Sequence, residues 1–113
     1  MCTRSELESI TTQLVKEYRL LYGATLKEVI LYGSYARGDF DDESDIDVVA
    51  IVDQPRLEIG KSYRKLGEVA SSLSLSYGLT VSPSVIPFND YMRYRNALPY
   101  YRNISNEGVR LDA

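Results

Sequence analysis

A chain of 113 residues with a formal net charge of −3, one cysteine and no histidine is long enough to bury a real core and suits one domain, residues 1–113. The missing histidine excludes Ser-His and Cys-His catalysis and histidine metal ligation, while the lone Cys2 excludes a disulfide framework and zinc-type spacing, so a general base must be a carboxylate or water. The acidic balance, with a pI near 4.9, argues against an extended nucleic-acid surface and favours a nucleotide over a polynucleotide as ligand.

The longest apolar stretches are strand-length and interrupted by charge, so neither a signal peptide nor a membrane span is expected, and a cytoplasmic protein is the simplest reading. Leu7, Ile10, Leu14, Tyr18 and Leu21 recur at steps of three and four, which predicts a helix over about Ser5 to Tyr22. Thr3 with Glu6, or Ser5 with Glu8, offers a capping box, and Gly23 a left-handed stop. Leu26 to Tyr32 reads as a first strand, buried and β-branched, that runs straight into Gly33-Ser34. A turn is required there: Gly33 allows a backbone conformation closed to other residues and close approach of a ligand, and Ser34 is placed to cap a short helix from Tyr35 to Gly38. Free amides at a helix start attract phosphate.

The acidic loop from Gly38 to Glu43 fails the EF-hand pattern, since counting from Asp39 puts Ser44 where glycine belongs and Ala50 where glutamate belongs. Its carboxylates read as solvated, adding negative potential rather than ligands. Ile46 to Val52 is a second strand. At its entry Asp45 and Asp47 are two apart and therefore share a face, with Cα atoms roughly 6.5 Å apart. Paired carboxylates resist joint ionisation unless a cation neutralises them, and Mg²⁺ works with one or two carboxylates plus substrate phosphates. A phosphate-holding turn beside a metal-holding pair describes phosphoryl or nucleotidyl transfer.

A helical segment is expected from about Leu57 to Tyr77, firm only from Ser62 because Gly60 and Gly67 weaken it. Lys61, Arg64 and Lys65 cluster near its start, as a solvated face or a phosphate contact. Leu79 to Pro87 reads as a third strand, at an edge or bulge because Pro83 lacks an N–H. A short helix from Phe88 to about Ala97, with Asn89 as cap, and another from Pro99 to Asn106 stopped by Gly108 complete the chain. The order of elements is α/β with a mixed sheet. Ten tyrosines against two phenylalanines and no tryptophan hint at surfaces half dry and half wet. Tyr91, Tyr94, Tyr100 and Tyr101 with Arg93, Arg95 and Arg102 read either as a partner surface or as a helix packed on the sheet.

Gly33-Ser34-x-x-Arg37-Gly38 followed by Ser44-Asp45-x-Asp47 resembles the signature of the minimal nucleotidyltransferases of the DNA polymerase beta superfamily. The resemblance implies the small mixed-sheet nucleotidyltransferase fold, Mg²⁺ or Mn²⁺ and ATP or another nucleoside triphosphate as requirements, and AMP transfer to an acceptor hydroxyl. It implies nucleotide binding by Gly33, Ser34 and Arg37, and metal binding and catalysis by Asp45 and Asp47. Transfer-competent members carry a third acid on the strand after the long helix, where this chain has only Ser82 and Ser84. Asp90 lies beyond that strand. The family also implies a second role, that of a binding antitoxin to a HEPN-domain toxin partner.

Overall fold

The computed structural model describes residues 2 to 112. Its first helix, α1 (Arg4–Tyr22), opens with the Thr3/Glu6 capping box: the Glu6 amide donates to Thr3 Oγ1 at 3.1 Å, and the Thr3 amide donates to Glu6 Oε1 at 3.0 Å. Gly23, at φ +54°, ends it. Strand β1 (Leu26–Tyr32) follows after one 3₁₀ turn, then a four-residue helix, α2 (Ser34–Arg37), the acidic loop, and β2 (Ile46–Val52).

The expected long helix is two: α3 (Arg56–Gly60) and α4 (Tyr63–Tyr77). They part just past Gly60, where a residue without a side chain gives least support to continued helix. Strand β3 (Val81–Pro87) leads directly into α5 (Phe88–Tyr94), and α6 (Pro99–Glu107) into a two-residue strand, β4 (Val109–Arg110). Asn89 does not cap α5. The cap position is Pro87, and Asn89 lies inside the helix.

The sheet order is β3-β2-β1-β4, with β1 antiparallel to β2 and β4, and β2 parallel to β3. The parallel β2–β3 connection needs a crossover, which α3 and α4 supply. β3 is an edge strand, as Pro83 requires. Opposite Pro83 sits Val48, and the buried Tyr18 hydroxyl from α1 lies 3.2 Å from the Val48 carbonyl and 2.9 Å from that of Ser84. A phenol thus serves carbonyls where the proline has no N–H to give the ladder.

Period-two alternation divides the strands between two faces. Val29, Leu31, Ile46, Val48, Ala50, Val81 and Val85 meet Ile10, Leu14 and Tyr18 of α1, with Leu66 and Leu73 of α4, in one core. The other face, Ile30, Val49, Ile51 and Ile86, packs against Tyr91 of α5 and Ile104 of α6. Gly108 brings this second layer close. It ends α6 as expected, its amide donating to the Ile104 carbonyl, and it also permits close approach, since a Cβ there would collide with Ile30 Cγ2 and the Ile104 carbonyl oxygen. No described helix is long and apolar enough to cross a membrane.

Candidate functional site

Antiparallel pairing brings the end of β1 and the start of β2 to the same edge of the sheet, with Tyr32 directly opposite Asp47. The turn after Tyr32 depends on Gly33, which has φ +76°. A Cβ at Gly33 would stand 2.7 Å from Asp47 Oδ2, so the glycine's bare face is where the aspartate carboxylate packs. The turn and the acid pair form one unit. The Ala36 and Arg37 amides both donate to the Gly33 carbonyl at 3.1 Å, which makes Gly33, not Ser34, the cap of α2. Ser34 is the first helical residue, and no side-chain bond caps the helix.

Asp45 is exposed and Asp47 half-buried at the entry to β2. Neither carboxylate has a hydrogen-bond donor or a basic side chain as partner among the described residues. Burial pushes the Asp47 carboxyl above the usual carboxylate range, and the neighbouring Asp45 charge pushes it further. Two hard oxygen donors with unrelieved repulsion suit a divalent cation that also keeps waters and substrate oxygens. They do not make a closed protein cage: no three acidic or cysteine side chains are placed to hold one metal ion among the described residues.

Ser82 pairs with Asp47 in the parallel register, and Ser84 follows two residues along on the same face. Ser84 Oγ is buried with no partner at hydrogen-bonding distance, though it lies near enough to the Tyr32 hydroxyl to favour its ionised form slightly. Asp90 is elsewhere, on α5 beyond the opposite end of β3, in a 2.9 Å ion pair with Arg56. Within the acidic loop, Asp41 bonds locally, its Oδ1 accepting from the Glu43 amide at 2.9 Å. Arg37 is ion-paired to Asp39 at 3.1 Å and to Glu107 of α6 at 3.4 Å. Of the basic cluster, Lys61 pairs with Glu58 and Arg64 with Glu68, both exposed.

One group that sequence reasoning missed lies on the same face. The Tyr32 phenol is held well above its ordinary pKa by burial, then by the Tyr100 hydroxyl and the Asp47 charge, against a smaller opposing effect of the Ser84 hydroxyl. Its oxygen is 3.2 Å from that of Tyr100. The signal was available in alternation: Tyr32 shares a face with Ile30, and its neighbour across the ladder is an aspartate. A hollow of about 430 Å³ lies away from this edge, between α1 and α4, lined by Lys16, Lys65 and Leu73. The acid pair sits at an open sheet edge, and chemistry rather than concavity marks it.

Residues 11–104 match the model of the nucleotidyltransferase domain. The chain belongs to that family. It is 41% identical over 78 residues to the MJ0141 protein of Methanocaldococcus jannaschii, whose name proposes protein adenylyltransferase activity; the match covers 65% of this chain and 76% of the relative. It is 41% identical over 49 residues to the protein adenylyltransferase MntA of Thermococcus cleftensis, covering 43% of this chain and 48% of that one. Among solved structures, a double aspartate-to-glutamate mutant of the toxin-antitoxin complex MntA-HpeT superposes with a TM-score of 0.54 at 16% identity, over 88% of this chain and 70% of the other. The shared architecture is the nucleotidyltransferase fold, a mixed sheet flanked by helices.

Proposed function

We propose that the chain binds a nucleoside triphosphate, ATP by analogy with its relatives' names, together with Mg²⁺ or Mn²⁺, and transfers AMP to a hydroxyl of a protein acceptor in the cytoplasm. Asp45 and Asp47 hold the metal, and the Gly33-Ser34 turn holds phosphate. Arg37 exchanges Asp39 or Glu107 for a phosphate oxygen. The observation that carries this reading is the contact between the Asp47 carboxylate and the bare face of Gly33, which brings the phosphate turn and the acid pair into one small volume. When bound, the metal supplies neutralisation of the charge that develops on the transferred phosphoryl group. The residues of this chain orient the triphosphate and fix the α-phosphate beside the open sheet edge.

Turnover is limited by the third position. A serine hydroxyl neither ionises near neutral pH nor serves as a base there. Because Ser82 is level with Asp47, Ser82→Asp is expected to raise labelled AMP transfer above wild type with little change in ATP affinity. Equal transfer by wild type and variant, both well above an Asp47→Asn control, would show that a third carboxylate is unnecessary.

A second reading is favoured by one surface. Met92, Tyr94, Leu98 and Tyr100 of the α5–α6 region are exposed, with the Arg93 guanidinium 5.9 Å from the Tyr94 ring centroid. Exposed aromatic and arginine side chains suit a protein interface, and the MntA-HpeT complexes are toxin-antitoxin pairs. On this reading the chain is an antitoxin that binds a HEPN-type toxin, with or without modifying it. Co-purification with the product of a neighbouring helical reading frame, lost on Tyr94→Ala, tests it.

A further inference from the structure

The phenol pair at the acid edge is not accounted for by substrate binding. Tyr32 is fixed in β1 opposite Asp47, and its hydroxyl meets that of Tyr100, which projects from the first turn of α6 and is 45% exposed. The buried Ser84 hydroxyl, with no partner at hydrogen-bonding distance, lies on the same face. The Tyr32–Tyr100 phenol pair and Ser84 therefore lie on the sheet face that carries Asp47, the side from which a hydroxyl acceptor would approach. Several other phenol hydroxyls are bonded away from this edge: Tyr18 to strand carbonyls, Tyr77 to Ser9 at 2.6 Å, and Tyr101 to Arg56 at 3.4 Å.

We infer that Tyr100 is an acceptor in its own chain, so that the protein adenylylates itself once at this residue. Tyr32 is a positioning residue: its hydroxyl, half-buried at the end of β1, holds the exposed Tyr100 oxygen at the acid edge. In the step, the Tyr100 phenolic oxygen bonds to the α-phosphorus of ATP, and the bond from that phosphorus to the oxygen bridging the β-phosphate breaks. Pyrophosphate leaves with the electron pair, and the phenolic proton passes to water. The product carries an anionic phosphodiester and an adenosine at the start of α6, which removes the Tyr32–Tyr100 bond and occupies the edge. Modification is thus self-limiting at one group per chain.

This inference rests on the reading of Gly33, Asp45 and Asp47 as the nucleotide-metal site, and the test separates the two. Purified chain and its Ser82→Asp variant are incubated with α-labelled ATP and Mg²⁺ or Mn²⁺ and mapped by peptide mass spectrometry, while Mg-ATP binding is followed calorimetrically. The expected result is one adenylyl group on Tyr100, formed at a rate independent of protein concentration, retained in Tyr94→Phe and lost in Tyr100→Phe. A second readout needs no turnover: the α,β-methylene analogue of ATP with Mg²⁺ should protect Tyr100, and not Tyr94, from nitration by tetranitromethane. Mg-ATP binding with no label on Tyr100 in either protein, label on another tyrosine, or Tyr100 nitration unaffected by the analogue overturns the inference and leaves the nucleotide site standing. Absence of Mg-ATP binding removes both.

Discussion

The two faces of one sheet do different work. On the face toward α1 and α4 the strands contribute only apolar side chains, and Ile10, Leu14, Tyr18, Val48 and Ala50 are wholly buried. On the face toward α5 and α6 the same strands alternate to Ile30 with Tyr32, Val49 with Asp47, and Ile86 with Ser82 and Ser84, so the apolar layer covers one end and polar groups the other. Stability resides on the first face, and the proposed chemistry uses the second. Burial on the first face holds β1 and β2 in register, and that register sets Asp47 against Gly33 on the second.

The largest effect should come from breaking the first face. Leu14→Ala removes wholly buried side chain at the centre of the α1 contact and should cost about 2–5 kcal/mol, read as a fall in the denaturation midpoint. Tyr18→Phe is a finer cut through the same face. It keeps the ring and removes the hydroxyl that reaches the Val48 and Ser84 carbonyls, with an expected loss of about 1–3 kcal/mol. Because those carbonyls lie in the strands that carry Asp47 and Ser82, weaker nucleotide binding should accompany it. Unchanged stability would mean that the phenol does not support the ladder beside Pro83.

The second face should respond with the opposite sign. Asp47 has its pKa raised in the folded chain by burial and by Asp45. Between the ordinary and the raised value the folded state holds more protons than the unfolded, so stability is greatest below the ordinary carboxylate pKa and falls as pH rises through the folded value. Asp47→Asn should therefore stabilise the metal-free protein at neutral pH, by on the order of 1 kcal/mol or less given the group's partial exposure. The gain should vanish in acid. Thermal melts of both proteins from acid to neutral pH check the sign, and destabilisation at neutral pH would mean that Asp47 is a structural residue.

Most of the first face was legible in the sequence because it follows from periodicity alone: the stripe from Leu7 to Leu21 and the runs Leu26 to Tyr32 and Ile46 to Val52 each match an element in the structure. The acid pair and its glycine were legible from spacing. What escaped depends on contacts distant in sequence. β4 is two residues long, below what a pattern can reveal, and is held by pairing with Ile30 and Leu31. The Asn89 side chain suits a cap, yet Pro87 ends β3 so abruptly that the helix starts at Phe88. The phenol pair joins residues 68 apart, and no local rule connects Tyr32 to Tyr100.

The proposed function requires Gly33 and the Asp45/Asp47 pair to act as one metal-dependent nucleotide site. Isothermal titration of ATP into wild type and Asp47→Asn, with Mg²⁺ and with chelator, tests it most directly. Without a cation the triphosphate and the two carboxylates repel, so the account predicts binding by wild type only when Mg²⁺ is present and none by the variant in either condition. ATP binding of equal strength in all four titrations would contradict it.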